Sequence, residues 1–268
     1  TNRCQVRLAG QLTGAASQLR ATIEVDGEPI SQREIEDAEF EFSLRIDSGL
    51  QNYRLSLAWS DNTNQWRPIR TIENIVCGDA FLIDGQSNAV ALDYHNERLG
   101  DQEMNSFVRS FGNAADNSDI AADDTFVIAR ADNGMGVGSI GQWGLRLANI
   151  ISESQQLPVL IINGAVGGTP VQVHLRDEQN RENLNSIYGR QLWRARQAGV
   201  SGQIRAIFWH QGEVLRDLYG VIPNGNADAP KPQAAQWRDR QTLVLEFGES
   251  GGGLTLQDGA EVYFSLSD

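Results

Sequence analysis

The chain has 268 residues, which is enough for one or two domains that each bury a hydrophobic core. Its formal net charge is −13, and its single lysine is Lys231, so it has no basic stripe to neutralise phosphates; this argues against a nucleic acid partner. No apolar run approaches the about 18 residues of a membrane-spanning helix and no signal peptide is recognisable, so a soluble, mature or trimmed chain without membrane insertion is expected.

The first 75 residues carry the pattern of antiparallel strands. Apolar and polar residues alternate strictly over 39–46 and again over 53–59. Period two with one polar face is typical of strands that bury one side and expose the other. Further strands are expected over 4–8, 21–25 and 66–72. We therefore predict a small β-sandwich accessory domain over residues 1–75.

From Gly78 onward, apolar strand-like runs alternate with amphipathic helical patterns. This alternation is typical of a parallel α/β architecture. Helices are expected over 88–99, 142–154 and 184–198. The second domain is accordingly predicted over residues 76–268.

Three of the apolar runs end in an unusual turn that contains glycine. Residues 80–88, Ala-Phe-Leu-Ile-Asp-Gly-Gln-Ser-Asn, present Ser87 directly after a strand. Residues 159–170 end in Gly-Gly-Thr-Pro, and residues 206–213 end in Gln-Gly-Glu. Because the carboxyl ends of parallel strands lie on one rim of a sheet, the three turns are expected to form one site.

These motifs resemble the SGNH (GDSL-type) hydrolase superfamily and, within it, the sialate O-acetylesterase-like carbohydrate esterases. Gly-Gln-Ser-Asn, Asn-Gly-x-x-Gly-Gly-Thr and Gln-Gly-Glu are similar to the first three blocks of that family, in the same order, over roughly residues 76–213. The resemblance implies a three-layer α/β/α domain with a parallel sheet. It also implies hydrolysis of O-acetyl esters on a carbohydrate through an acyl-enzyme, without a cofactor.

The resemblance assigns a role to the residues of each motif. Ser87 would be the nucleophile, and its backbone N–H would be one donor of the oxyanion hole. The backbone N–H of Gly168, or of its neighbour Gly167, and the side-chain amide of Gln211 would be the other donors. Ester cleavage builds negative charge on the carbonyl oxygen, and each fixed donor aimed at it can contribute roughly 3 to 4 kcal/mol.

Two further polar residues of these motifs are expected to support the site. Asn88 closes the first motif, and Glu213 closes the third. Glu213 could accept backbone N–H bonds within the Gln211 loop or support the polar side chains of the site; the structural role is favoured.

The general base is missing from the place where the resemblance predicts it. The family takes this base from an Asp-x-x-His block after the third motif, but no histidine follows His210. His210 is the best internal substitute, although residues adjacent on a strand, such as His210 and Gln211, point to opposite faces. His174 follows the Gly-Gly-Thr turn and could reach the substrate, whereas His95 is expected at the surface or in packing. Another histidine could substitute, the segment with the base could be absent, or the protein could be a non-catalytic carbohydrate-binding or structural relative.

The carboxyl-terminal third departs further from the family. Residues 254–257 and 260–266 predict a β-hairpin around Asp258-Gly259, where the family continues with a helix and a strand. We therefore expect this part to be truncated, diverged or replaced, and activity to be weak or absent. The oligomeric state is left open.

Cys4 and Cys77 are the two cysteines of the chain. A disulfide between them would tie the amino terminus to the domain junction and would indicate a secreted or periplasmic protein. Two free buried thiols are the alternative.

Acidic residues cluster between Asp101 and Ile140, in the run Asp116-Asn117-Ser118-Asp119 and at Asp123 and Asp124. These are calcium-ligand types, but their spacing matches no known calcium loop. A solvated acidic loop is expected, and no metal site is predicted.

Overall fold

The computed structural model describes residues 3–14, 16–61, 65–93, 100–114, 123–131 and 136–211, together with three strands between 234 and 265. The chain divides into two compact units, residues 1–210 and 211–268. The domain boundary near residue 75 stays a prediction.

Two antiparallel sheets form from the first 75 residues. Their strands are β1 (Arg3–Gln11), β2 (Gln18–Val25), β3 (Glu28–Ile35), β4 (Glu39–Asp47), β5 (Tyr53–Ser60) and β6 (Arg67–Ile75). Strand β1 pairs with β4, and the other four strands form a sheet in the order β3-β2-β5-β6. Alternate residues of β2, β4 and β5 meet in one buried core, including Ile23, Leu44 and Leu55. The predicted small antiparallel β-sandwich is confirmed.

A disulfide joins the two ends of this sandwich segment. Cys4 in β1 is bonded to Cys77, which follows β6, across a sequence separation of 73 residues and with the Cα atoms 5.7 Å apart. Cys77 is buried among the apolar residues of the sandwich core. The predicted Cys4–Cys77 bond is confirmed.

A five-stranded, mainly parallel sheet follows in the same unit. Its strands are β7 (Asp79–Gly85), β8 (Val108–Phe111), β9 (Phe126–Ile128), β10 (Val159–Asn163) and β11 (Ile204–His210). They lie in the order β11-β7-β10-β8-β9. Strand β7 is parallel to both β10 and β11, β10 is parallel to β8, and β9 is an antiparallel edge strand. Strand β7 is buried on both faces, as expected for an inner strand with a continuous apolar run.

Helices cover both faces of this sheet. They are α1 (Ser87–Val90), α2 (Gln142–Gln155) and α3 (Ile187–Gln197). Leu145 of α2 shares a core with Ile83 of β7, whereas Ala195 of α3 shares another with Leu82, which points to the opposite face. The predicted three-layer α/β/α arrangement is confirmed. Within the described parts of the chain, no helix is both long enough and apolar enough to cross a membrane.

Helix α1 ends after a single turn, although the sequence predicts a helix over 88–99. Ala91 adopts the left-handed conformation with φ 53°, and its carbonyl accepts the N–H of Gln142 at 3.0 Å. The indole N–H of Trp143 donates to the carbonyl of Asn88 at 2.7 Å. A continuing helix would need both carbonyl groups for its own hydrogen bonds, so these contacts with the start of α2 end the helix at Val90. Residues 94–99 of the predicted helix lie outside the described residues.

The second unit contains three described strands, β12 (Ala234–Trp237), β13 (Thr242–Glu246) and β14 (Glu261–Ser265). They form an antiparallel sheet in the order β12-β13-β14. Strand β14 falls on the second strand of the predicted hairpin, and its observed partner is β13. The first strand of that hairpin and its turn lie outside the described residues.

Candidate active site

Ser87 lies at a point where the connections of the sheet change direction. Strand β10 reaches one side of β7 after α2, and β11 reaches the other side of β7 after α3. The two helices cover opposite faces. In open α/β sheets, the carboxyl ends of strands at such a switch point border a crevice that binds ligands.

The turn that presents Ser87 requires a glycine. Gly85 has a φ of +132°, and a Cβ atom there would overlap the carbonyl of His210 on the neighbouring strand. This close approach lets the backbone N–H of Gln86 donate to the same carbonyl at 3.1 Å. Ser87 then begins α1, half-buried at the carboxyl end of β7.

The Gly-Gly-Thr turn lies directly beside Ser87. The N–H of Val166 donates to the carbonyl of Gly85 at 3.0 Å, which extends the β7–β10 ladder beyond the strands. A methyl group added to Gly167 would lie 3.8 Å from both Cα and Cβ of Ser87. Gly168 has a φ of +74°, and a methyl group there would meet nothing within 4 Å. Two of the three predicted turns therefore come together, with Gly167 against the serine.

Asn163, the last residue of β10, holds the short helix of the serine in place. Its side-chain amide donates to the carbonyl of Ala89 at 2.9 Å and to that of Ile140 at 3.1 Å. Its side-chain oxygen accepts the N–H of Ala165 at 2.9 Å. One buried side chain thus joins α1, the start of the Gly-Gly-Thr turn and the segment before α2.

His174 is buried, and both of its ring nitrogens have protein partners. It ends a short 3₁₀ helix, and its side chain is 2 % exposed. Nδ1 lies 3.0 Å from Oδ1 of Asp84, and Nε2 lies 2.8 Å from Oγ1 of Thr169. Both ring nitrogens thus contact protein side chains, and the contact of His174 with a substrate stays a prediction.

His210 lies on the other side of the sheet from His174. The ring of Trp209 contacts the ring of His174 edge-on, with the centroids 5.2 Å apart. Successive strand residues point to opposite faces, so His210 shares the face of Phe208. Phe208 packs against the core that includes Ala89 of α1. His210 is exposed and pairs in register with Gly85, directly before the serine turn.

Arg194 of α3 is a buried cation near the same end of the sheet. Its Nε donates to the carbonyl of Phe111 at 2.8 Å, and its Nη1 donates to that of Asn163 at 2.6 Å. Burial lowers the pKa of the guanidinium to about 9; the charge of Asp123 opposes this shift and that of Arg190 adds to it. Arg194 therefore joins the ends of β8 and β10 beneath the surface.

The remaining predicted site residues are only partly described. Asn88 is exposed in α1, and Gln211 directly follows β11 as the first residue of the second unit. Glu213, His95 and the run 116–119 lie outside the described residues. Among the residues that are described, no group of three potential metal ligands was found.

Three polar residues of the motifs received no role from the sequence, although the structure places them near the serine: Asp84, Asn163 and Thr169. A signal existed for Asp84, since it is a carboxylate at the end of an otherwise apolar strand run. Asn163 also ends an apolar run and precedes a glycine. Neither position reveals its partner, because the partners come from segments far away in the sequence.

A family model described as carbohydrate esterase, sialic acid-specific acetylesterase, matches residues 77–216, about half of the chain. The chain belongs to this family. The match begins at the disulfide cysteine before β7 and includes all three motifs of this acetylesterase-family chain.

Two solved structures are similar to this family member. A carbohydrate acetylesterase from Xanthomonas citri is 16% identical, with a TM-score of 0.45, 78% of this chain covered and 48% of that chain. A protein from Arabidopsis thaliana is 21% identical, with a TM-score of 0.36, 50% of this chain covered and 57% of that chain. The chain thus spans about half the length of the two solved proteins. No protein of curated function matches the sequence significantly.

Proposed function

We propose that this protein is a serine esterase that removes O-acetyl groups from a carbohydrate through an acyl-enzyme. The observation that carries the proposal is the packing of the Gly167 turn against Ser87 at the carboxyl end of β7. Membership of the acetylesterase family supports an acetylated carbohydrate as the substrate. No cofactor is needed for this reaction, because the serine oxygen itself attacks the ester carbonyl.

In the proposed reaction, Ser87 Oγ attacks the acetyl carbon and the sugar hydroxyl leaves. The negative charge on the carbonyl oxygen is stabilised by the backbone N–H groups of Ser87 and of Gly168 or Gly167, and by the amide of Gln211. Glycine suits this position because it lets the backbone approach the substrate closely. Water then releases acetate from the serine. Asn88 and Glu213 are proposed to support the site.

We assign the general base to His210. The support is its exposed position next to Gly85 and its placement on the α1 side of the sheet. His174 is less suited, since Asp84 and Thr169 occupy its two ring nitrogens. A serine hydroxyl is a poor nucleophile without a base to remove its proton, so the assignment predicts a large loss of activity in His210→Ala.

The experiment compares wild type with Ser87→Ala, His210→Ala and Ser201→Ala on 4-nitrophenyl acetate, on an O-acetylated sialic acid and on an acetylated neutral sugar. Ser201 is an exposed turn residue and serves as the matched control. Ser87→Ala should lose at least about 10³-fold in kcat, and His210→Ala should fall by a similar factor. Preference for one of the two sugars identifies the substrate class.

Equal activity of Ser87→Ala and wild type would refute the serine mechanism. Normal activity of His210→Ala together with loss in Ser87→Ala would remove His210 as the base and leave the nucleophile in place.

A second candidate function is that of a non-catalytic carbohydrate-binding relative. The burial of His174 favours it, because a buried His174 is poorly placed to act as the general base and the chain has only three histidines. This candidate predicts that an acetylated sugar binds, in calorimetry, without release of acetate, and that Ser87→Ala binds it equally well.

We also propose that the protein works in an oxidising compartment, secreted or periplasmic. The Cys4–Cys77 disulfide supports this, because such bonds persist outside the reducing cytosol. Fractionation of the producing cells, with free thiols alkylated before lysis, tests it. Recovery of the protein in the cytosol with both thiols alkylated would contradict the proposal.

A further inference from the structure

A chain of buried polar contacts connects the strand of the serine to the Gly-Gly-Thr turn. Oδ1 of Asp84 accepts the N–H of Gly85 at 2.8 Å and faces Nδ1 of His174 at 3.0 Å. Nε2 of His174 faces Oγ1 of Thr169 at 2.8 Å, and this hydroxyl donates to the carbonyl of Val166 at 2.6 Å. We name these three side chains, Asp84, His174 and Thr169, the buried relay.

The hydroxyl of Thr169 takes part in two contacts of the relay. A threonine hydroxyl has one proton, and the carbonyl of Val166 can only accept. The hydroxyl therefore donates to that carbonyl, and its oxygen contacts Nε2 of His174. Valine has the shape of threonine without the hydroxyl, so it would break both contacts at once.

The turn between Val166 and Thr169 is attached to β7 at both ends. At its start, the N–H of Val166 donates to the carbonyl of Gly85 at 3.0 Å. At its end, Thr169 is connected through His174 to Asp84, which lies three residues before the serine. Gly167 and Gly168, between these attachments, are exposed and have no side chains with which to pack. Their position depends on the two attachments.

We infer that His174 is a positioning residue, which through Thr169 and Asp84 fixes the Gly167–Gly168 turn against the nucleophile. This inference rests on the proposed function for its effect on rate. Oxyanion donors act only when they are held about 3 Å from one oxygen, and a misplacement of about 1 Å can cost about 10²-fold in rate. The burial of His174 suits this role, since it needs no access to solvent or substrate.

Matched variants separate positioning from simple loss of packing. Thr169→Val keeps the shape and removes the hydroxyl, whereas Thr169→Ser keeps the hydroxyl. His174→Asn keeps a donor near the position of Nδ1 and removes the contact to Thr169. The expected results are a kcat about 10- to 100-fold lower for Thr169→Val and His174→Asn, with KM within about twofold of wild type. Thr169→Ser should retain most of the wild-type kcat.

Amide hydrogen exchange provides a readout that needs no catalysis. The amide of Val166, which donates to the carbonyl of Gly85 at the start of the turn, should exchange at least about tenfold faster in Thr169→Val and His174→Asn, because the turn is then attached at one end only. In Thr169→Ser, exchange should stay close to that of wild type. Exchange in α2 serves as the internal control for global stability.

Two results would overturn the inference. One is wild-type exchange at the turn in both Thr169→Val and His174→Asn. The other is equal loss of kcat in Thr169→Ser and Thr169→Val, which would indicate packing instead of the hydroxyl contact. If Ser87→Ala is as active as wild type, the proposed function fails, while the exchange rates still decide whether the relay positions the turn.

Discussion

The Cys4–Cys77 disulfide closes almost the whole β-sandwich segment into one covalent loop. We expect its removal in Cys4→Ala/Cys77→Ala to lower the free energy of unfolding substantially. The bond restricts the unfolded chain, and the restriction grows with the number of residues between the cysteines.

The size of the effect follows from the loop length. For a sequence separation of 73 residues, the loop-closure relation gives about 4.4 kcal/mol at 25 °C. Loss of two sulfur atoms next to the sandwich core adds about 1 kcal/mol. A loss of this size corresponds to a decrease in Tm of about 10 to 15 °C for a chain of this length.

Guanidinium unfolding, followed by tryptophan fluorescence, measures the effect. Either single variant already breaks the bond, so Cys4→Ala, Cys77→Ala and the double variant should have nearly the same unfolding midpoint. The m-value should rise in all three, because an unfolded chain without the bond exposes more surface. Reduction of the wild type should reproduce the shift, and reoxidation should reverse it.

Additive effects of the two single substitutions would show that the cysteines act separately and would refute the reasoning. A total loss below about 1 kcal/mol would also refute it, since the loop relation would then not describe this segment. The proposed esterase activity should be the same in wild type and variants at low temperature, because Ser87 and the Gly167 turn belong to the five-stranded sheet, which has its own core.

Three further substitutions probe the turns and contacts around the serine. Gly167→Ala should leave Tm within about 2 °C of wild type but lower kcat about 10- to 100-fold, because the methyl group would occupy the space beside the nucleophile; Gly202→Ala, where a methyl group would meet nothing within 4 Å, is the control, and equal kcat values for the two would contradict the prediction. Asn163→Leu should cost about 2 to 4 kcal/mol in urea unfolding, because it leaves buried carbonyl groups unpaired, and a neutral result would mean that those groups find other partners. Gly141→Ala should destabilise by at least about 2 kcal/mol, since φ is +80° and the Cβ would meet the backbone of Val90; a stable variant in a calorimetric scan would be inconsistent with the described turn.

Where one face of a segment is buried, the sequence was sufficient to predict the structure. In β4, buried residues alternate with exposed ones, so the hydrophobic pattern matched the period of a strand. The apolar runs that became β7 and β10 are buried on nearly every residue, which is typical of inner parallel strands. The antiparallel edge strand β9 has only three residues and was not predicted.

Helix α1 shows why local patterns fail at the site. The residues after α1 have a helical pattern. The carbonyl groups of Asn88 and Ala91, however, accept hydrogen bonds from Trp143 and Gln142, which lie more than 50 residues later. Tertiary hydrogen bonds thus overrode local propensity. For the same reason, the sequence alone does not reveal the buried relay, in which Asp84 and His174 are 90 positions apart. The motifs identified Ser87 and the glycine turn, whereas the supporting side chains became visible only in the fold.

Strand β7 is made before either of its neighbours in the sheet. Its partners begin at Val159 and Ile204, so both of its edges have no partner while the intervening chain is translated. The side chain of Asn163 holds Ala89 in place, and Asn163 follows Ala89 in the chain by 74 positions. At ordinary translation speeds, a segment of this length takes about 4 to 15 s to synthesise. An apolar strand with two open edges is a template for wrong pairing. During this interval, β7 of the nascent chain is exposed to wrong strand pairing. We expect Ser87 to reach its final position only after Asn163 has left the ribosome.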